Sequence, residues 1–169
     1  TRPPRNEVIG HERLHLWYRT HAHQVEQERL PLDLREGGFD EVMKNLPESE
    51  ALFEARRCLS CGNCFECDGC YGACPQDAII KLGPGKRYKF DFDKCTGCQD
   101  CEKVCSVTVP DRFNFDLVSK RAAYIAFPQA VPKKAVIERE GTSPCTFSCP
   151  ANIKAHGYIA LTRRGEYEK

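Results

Sequence analysis

Leu14, Trp17, His21 and Val25 fall at helical spacing on one face, and Pro31 closes that segment. Gly37-Gly38 interrupts the chain before a short apolar stripe of Phe39, Val42, Met43 and Leu46. Pro47 then opens an expected helix that carries Ala51, Leu52 and Ala55 into Cys58. Proline suits a first turn because its missing N–H would have no intrahelical partner there. The period changes at Ala78-Ile79-Ile80-Lys81-Leu82, which is followed by Gly83-Pro84-Gly85 and by Tyr88, Phe90 and Phe92 alternating with polar residues. That pattern predicts two short strands joined by a turn. Residues 111–140 lack cysteine and carry Pro128 and Pro132, so an extended, draped connection is expected. From Cys145 a loop leads into an expected helix over residues 153–163, ended by Gly165. The reading is α+β, in four parts. They are a helical lead-in (1–57), a cysteine-rich module (58–110), an extended linker (111–140) and the start of a helical domain (141–169).

A chain of 169 residues suffices for one ordinary domain or two small ones. Apolar residues make up 41%, charged residues 29%, and the mean hydropathy is −0.53. The longest uncharged stretch, residues 141–153, is 13 residues long and contains Pro144 and Pro150. A membrane helix needs about 20 apolar residues, so no spanning segment is expected. The net charge of +1 comes without any concentration of basic residues, which removes the electrostatic footprint of a nucleic-acid binder. No signal peptide is visible, so a cytoplasmic location is expected. The sequence begins at Thr1 and ends at Glu166-Tyr167-Glu168-Lys169 inside an expected helix, as a piece of a larger protein would.

The 12 cysteines decide the chemistry. Cys64-x2-Cys67-x2-Cys70-x3-Cys74-Pro75 is the bacterial ferredoxin run, and Cys95-x2-Cys98-x2-Cys101-x3-Cys105 repeats it. Three thiolates two residues apart wrap a loop around three corners of a cubane. The fourth, carried on a short helix, ligates the other cluster of a two-cluster ferredoxin. The expected ligand sets are therefore Cys64, Cys67, Cys70 and Cys105 for one [4Fe–4S] cluster, and Cys95, Cys98, Cys101 and Cys74 for the second. Cys58 and Cys61 extend the first run with the same period. They are spare, or shift the ligand register, or serve a third cluster. Cys145-x3-Cys149-Pro150 resembles half an iron–sulfur site, and subtraction leaves Cys58, Cys61, Cys145 and Cys149 as one further set.

Other uses of cysteine fit less well. A disulfide scaffold needs an export signal, and cysteines two apart in tight loops pair poorly. Zinc sites also use Cys-x2-Cys pairs, but as isolated pairs rather than runs of four ending in Cys-Pro, so no zinc site is expected. A thioredoxin-like pair would need a βαβ context. His11-Glu12-Arg13-Leu14-His15 matches the zinc-protease pattern H-E-x-x-H, with His21 at a third-ligand spacing. The glycine such sites need is Tyr18 here, and only ten residues precede the motif, so a polar surface helix is the favoured reading. His156 is read as a packing or capping residue. No G-x-G-x-x-G occurs, so no dinucleotide site is expected. The Tyr88, Phe90 and Phe92 stripe is read as the face packed over the clusters.

The stretch from Glu54 through Cys58-Leu-Ser-Cys61-Gly-Asn-Cys64 to Cys74-Pro75, with Ile80 to Tyr88, resembles the ferredoxin module of glutamate-synthase small-subunit-like flavoproteins. Val107 to Pro132, with Tyr124-Ile-Ala-Phe-Pro-Gln-Ala-Val-Pro132, resembles the A-type subunit of heterodisulfide reductase. Pro144-Cys145 through Tyr167 is similar to the amino-terminal iron–sulfur domain of the glutamate-synthase small subunit. In that family a Cys-x2-Cys pair closely precedes the Pro-Cys-x3-Cys-Pro pair, and none is nearby here. Ser106 also stands where the second run usually has proline. The resemblance implies FAD and NAD(P)H sites outside this chain. It also implies that the partners are a flavin-containing domain or subunit, together with other redox subunits. The function expected is electron transfer through [4Fe–4S] clusters between a flavin and a partner's redox centre. No residue of the chain would act as acid, base or nucleophile. The alternative is a zinc-stabilised interaction module without redox activity. The His11–His21 segment is expected to confer no peptidase activity. Proteolysis accompanied by stoichiometric zinc, both lost in His15→Ala, would overturn that expectation.

Overall fold

The computed structural model describes residues 7–14, 16, 21–83, 88–115, 117–138 and 140–168. Two helices precede the cysteines, α1 (Leu32–Glu36) and α2 (Glu48–Arg57), entered from Pro31 and Pro47 respectively. In α2, Glu48 and Glu50 occupy the first turn and Arg56 and Arg57 the last, the arrangement that complements a helix dipole. Residues 22–25 lie as a strap on α2. Val25 N donates to Glu54 Oε1 at 2.9 Å, and Arg57 donates to the carbonyls of Ala22 and His23 at 2.7 and 3.1 Å. Leu30 N donates to Val42 O and Lys44 N to Glu28 O, around an antiparallel bridge of Arg29 with Met43.

The helix expected from Leu14 to Val25 lies partly outside the described residues, which omit His15, Trp17 and Tyr18. Where the segment is described, residues 21–30 are not helical. Their backbone groups are taken up by α2 side chains and by the 42–44 segment, so the i−4 partners of a helix are replaced by tertiary ones. His11–Arg13 forms a single 3-10 turn.

The cysteine runs enclose α3 (Gly69–Gly72), an antiparallel pair of β1 (Ile79–Lys81) and β2 (Tyr88–Phe90), and α4 (Asp100–Val104). The strand register sets Ile79 opposite Phe90 and Lys81 opposite Tyr88. The expected turn residues Pro84 and Gly85 lie outside the described residues.

The segment expected to drape as an extended linker is instead paired. β3 (Thr108–Pro110) binds β4 (Ser119–Arg121) around a 3-10 turn at Arg112–Asn114, which Asp111 Oδ1 caps by accepting from Phe113 N at 3.2 Å. β5 (Ala123–Tyr124) binds β6 (Val136–Ile137). Together the elements make mixed helix and small strands around a ferredoxin-like cysteine module. Pro128 and Pro132 fall between β5 and β6, in the return that no ladder has to span.

The chain closes with α5 (Pro144–Ser148), where a loop was expected, and α6 (Ala155–Arg163), followed by Gly165 at φ 72°. Arg163 of α6 donates to the carbonyls of Ala55 and Cys58 at the end of α2. The core is small-grained. One cluster gathers Cys64, Cys70, Cys101, Ile79, Tyr88, Ile125 and Ala135; the other gathers Phe65, Cys105, Val107, Val109, Ala122, Ala123 and Ala160. His156 is buried as expected of a packing residue, with its ring edge-on to Phe65. No helix among the described residues is long and apolar enough to cross a membrane.

A methyl group at Gly157 would lie 2.6 Å from the Phe65 ring, closer than carbon atoms approach. Gly157→Ala is therefore expected to destabilise the docking of α6 by about 1–3 kcal/mol, read from a chemical denaturation midpoint.

Candidate metal centre

Within the cysteine runs the backbone repeats an uncommon conformation. The residue before the second cysteine is left-handed in four of the six Cys-x2-Cys steps: Ser60 (φ 50°), Asn63 (φ 61°), Glu66 (φ 65°) and Gly97 (φ 72°) precede Cys61, Cys64, Cys67 and Cys98. In the other two steps the left-handed residue lies one place earlier, at Asp68 (φ 62°) and Gln99 (φ 71°), two residues before Cys70 and Cys101, where α3 and α4 begin. Left-handed residues alternating with right-handed ones turn successive N–H groups toward one side, making a concavity that favours negative charge. Holding a non-glycine residue there costs of order 1 kcal/mol, so a series of them requires something in return.

All twelve cysteines are free thiols. Backbone N–H groups point at several of them: Glu66 N at Cys64 Sγ, Ala78 N at Cys74 Sγ and Ala135 N at Cys95 Sγ, each 3.4 Å away. The thiols also oppose one another's ionisation. Burial pushes the Cys70 thiol well up, and negative charge at Cys64, Cys67, Cys105 and Cys101 adds to it in that order. Cys101 is pushed up to about 11, first by burial, then by Cys95 and Cys98, with Cys74 contributing as well. Cys67 is raised by burial and by Cys105 against a lowering hydrogen bond from the Gly69 N–H.

Charge at Cys64, Cys67 and Cys105 acts on Cys70, charge at Cys95, Cys98 and Cys74 acts on Cys101, and Cys101 in turn acts on Cys70, so the two runs lie side by side. A partly buried set of mutually repelling sulfurs, several of them offered N–H donors, is a donor set that fits a polycationic iron–sulfur centre. Among the described residues, no three His, Cys, Asp or Glu side chains converge closely enough to hold a single metal ion. His11 and His21 are both exposed, and His15 and Tyr18 lie outside the described residues.

Two features of the surroundings have no sequence signature. Residues 133–135 cover the second run: Lys134 Nζ donates to Cys95 O at 2.5 Å beside the Ala135 N–H, and a Cβ on Gly97 would meet Lys133 O at 2.4 Å. An N–H donor is common to every residue but proline, so only the fold reveals Ala135. The second feature is the clasp between β2 and the first run. Tyr88 is buried; its hydroxyl donates to Asp68 Oδ1 at 2.5 Å and accepts from Asp68 N at 2.9 Å, while Lys81 Nζ binds Asp68 Oδ2. Lys81 first, then Tyr88, hold Asp68 below the usual carboxylate range. Of the expected aromatic face, Tyr88 packs with Cys64 and Cys70 and Phe90 touches both apolar clusters, but Phe92 is 49% exposed.

Comparison with known proteins bears on this arrangement. Residues 63–109 match the 4Fe-4S dicluster domain. Outside that segment the match does not extend to Cys58, Cys61, Cys145 or Cys149. Three relatives are A-type subunits of heterodisulfide reductases or are named as resembling one. The chain is 53% identical over 62 residues to such a heterodisulfide reductase-like protein of Archaeoglobus profundus, covering 36% of this chain and 9% of that protein. It is 39% identical over 66 residues to the corresponding subunit of the H(2):CoB-CoM heterodisulfide,ferredoxin reductase of Methanothermobacter thermautotrophicus, covering 39% and 10%. It is 42% identical over 67 residues to an iron-sulfur subunit of the CoB--CoM heterodisulfide reductase of Methanopyrus kandleri, covering 40% and 10%. The chain thus spans about a tenth of the length of these relatives, which carry the heterodisulfide reductase part of the resemblance. No solved structure matches the chain significantly.

The Tyr88 clasp predicts a measurable cost. Tyr88→Phe removes one donor and one acceptor at Asp68 and is expected to destabilise the fold by about 1 kcal/mol, seen as a lower denaturation midpoint with the iron content unchanged.

Proposed function

We propose that the chain is an electron-transfer module holding two [4Fe–4S] clusters with crossed ligation, and that it relays electrons between a flavin and a partner's redox centre. Cys64, Cys67, Cys70 and Cys105 would hold the first cluster; Cys95, Cys98, Cys101 and Cys74 would hold the second. What supports this reading is that charge at Cys105 acts on Cys70 and charge at Cys74 acts on Cys101, each reaching across from the opposite run. When bound, such clusters supply one-electron exchange between ferric and ferrous iron.

The residues of the chain do the rest. The cysteine thiols give up their protons to become ligands, and burial keeps water from Cys64, Cys70, Cys101 and Cys105, while Cys67 and Cys98 stay open to solvent. N–H groups of Glu66, Gly69, Ala78 and Ala135 stabilise negative charge at the sulfurs, which favours the reduced form and raises the potential. The flavin, with FAD and NAD(P)H as its implied cofactors, belongs to a domain or subunit outside this chain. The relatives named as heterodisulfide reductase subunits support membership of such a complex. A reducing, cytoplasmic compartment suits twelve free thiols.

Purified anaerobically, the protein is expected to be brown, with broad visible absorbance that bleaches on reduction; colourless protein containing zinc would overturn the reading. Cys74→Ser tests the crossing. It is expected to disturb the paramagnetic signal of the centre formed by Cys95, Cys98 and Cys101. A disturbance confined to the centre formed by Cys64, Cys67 and Cys70 would contradict the assignment.

A further inference from the structure

We propose that Cys58, Cys61, Cys145 and Cys149 together hold a third [4Fe–4S] cluster, at the junction of α2, the first cysteine run and α5. Four lines of geometry support it, and none depends on the dicluster match, which begins at residue 63.

The first is local conformation. Cys58-x2-Cys61 is wound like Cys64-x2-Cys67 and Cys95-x2-Cys98, with its third residue, Ser60, left-handed as Glu66 and Gly97 are. A spare pair of cysteines preceding a ferredoxin run has no reason to adopt this unfavourable conformation.

The second is the approach of the two distant segments. A Cβ on Gly62 would lie 2.6 Å from Gly141 O and 3.1 Å from Ser143 N, so the loop carrying Cys61 is in backbone contact with the loop leading to Cys145. That loop is pinned from its other side, where Ile9 N donates to Thr142 O and Thr142 N to Glu7 O. Ser143, buried and bonded to His156 Nδ1 at 3.0 Å, accepts from the Cys145 thiol at 3.4 Å. From the α2 side, Arg163 Nη2 holds the Cys58 carbonyl at 2.8 Å.

The third is the placement of the remaining thiol. Cys145 lies in α5 and Cys149 caps its end, four residues on, so both belong to one face of a single helical turn. The fourth is an orphaned group. Ser60 is 2% exposed and its hydroxyl has no hydrogen-bond partner among the described residues, although it sits between the two cysteines of the pair. A sulfur-rich anion against this loop would give that hydroxyl an acceptor. Ser60 and Cys61 share a pocket with Arg13, Arg112, Glu138 and Glu140, in which Arg112 pairs with Glu140 and Arg13 with Glu7.

Binding takes the four thiols as thiolates and releases their four protons to solvent. The long excursion from Cys61 to Cys145 is no obstacle, because loop closure grows only as the logarithm of length. The third cluster would then fasten the lead-in helix and the C-terminal helices to the ferredoxin module.

The test is made on the intact protein, reconstituted anaerobically with ferrous iron and sulfide. Cys58→Ser/Cys145→Ser and, separately, Cys149→Ser are each expected to lose about four iron and about four acid-labile sulfide per chain relative to the parent. The reduced signals of the other clusters are expected to stay in place. Unchanged iron overturns the inference, as does a loss of about eight with the circular dichroism spectrum retained, which would put these thiols on the ferredoxin clusters. Anomalous iron scattering from crystals of the parent provides a readout independent of any variant. It is expected to show an iron centre bounded by the four sulfurs, and iron at the other two sites alone would refute the proposal. Parent protein without iron at any site would instead remove the two-cluster reading as well.

Discussion

The mutual repulsion of partly buried sulfurs is the constraint around which the rest of the molecule is arranged. Cys70 and Cys101 are each held among other cysteines, where burial and neighbouring charge both oppose ionisation. Without a cation to offset it, that arrangement favours neutral thiols and gives the chain little reason to gather them. The apolar core cannot supply the reason. Cysteine and alanine make up much of it, while Phe39, Phe113, Phe115 and Val131 remain exposed. A core of this grain suits a fold that metal binding would stabilise, as in other small metal-dependent folds.

The backbone follows from the same constraint. Six of the eight non-glycine residues with positive φ among the described residues lie between Ser60 and Gln99. Each conformation is unfavourable alone, and together they turn N–H groups toward sulfur. Short elements follow too: α3 spans four residues between Cys67 and Cys74, and α4 five residues between Cys98 and Cys105. The β1–β2 pair then closes over the sulfurs through Tyr88, whose phenol is tied to Asp68 next to Cys67.

Beyond the dicluster segment, the chain holds its parts together by backbone capture rather than by broad apolar interfaces. Arg57 binds the carbonyls of Ala22 and His23, Arg163 those of Ala55 and Cys58, and Arg164 that of Cys105. Guanidinium groups suit this role because several donors in one plane can satisfy carbonyls at the ends of two elements at once. The relatives of heterodisulfide reductase type are matched over about a tenth of their length, and these attachments lie where the module meets the rest of the chain.

The cysteine spacing alone determined the chemistry: Cys64 to Cys74 and Cys95 to Cys105 specify ligand loops because three thiols two residues apart leave the backbone few ways to present them. Strands at Ile79–Lys81 and Tyr88–Phe90 and the C-terminal helix were legible from periodicity, since each buries a face of its own. Tertiary structure decided what local pattern could not. His21 and Val25 end the helical stripe expected from Leu14, yet residues 21–30 run unwound, because Glu54, Arg57 and the 42–44 segment bind their backbone groups. The linker after Asp111 folds into paired strands and returns Ala135 to Cys95, a contact made by an N–H that leaves no trace in residue type. The approach of Cys145 to Cys61 likewise depends on Gly62 and Gly141 meeting backbone to backbone. Short-range spacing fixes which atoms can share a ligand loop, whereas contacts between distant backbone segments arise only when the whole chain has closed.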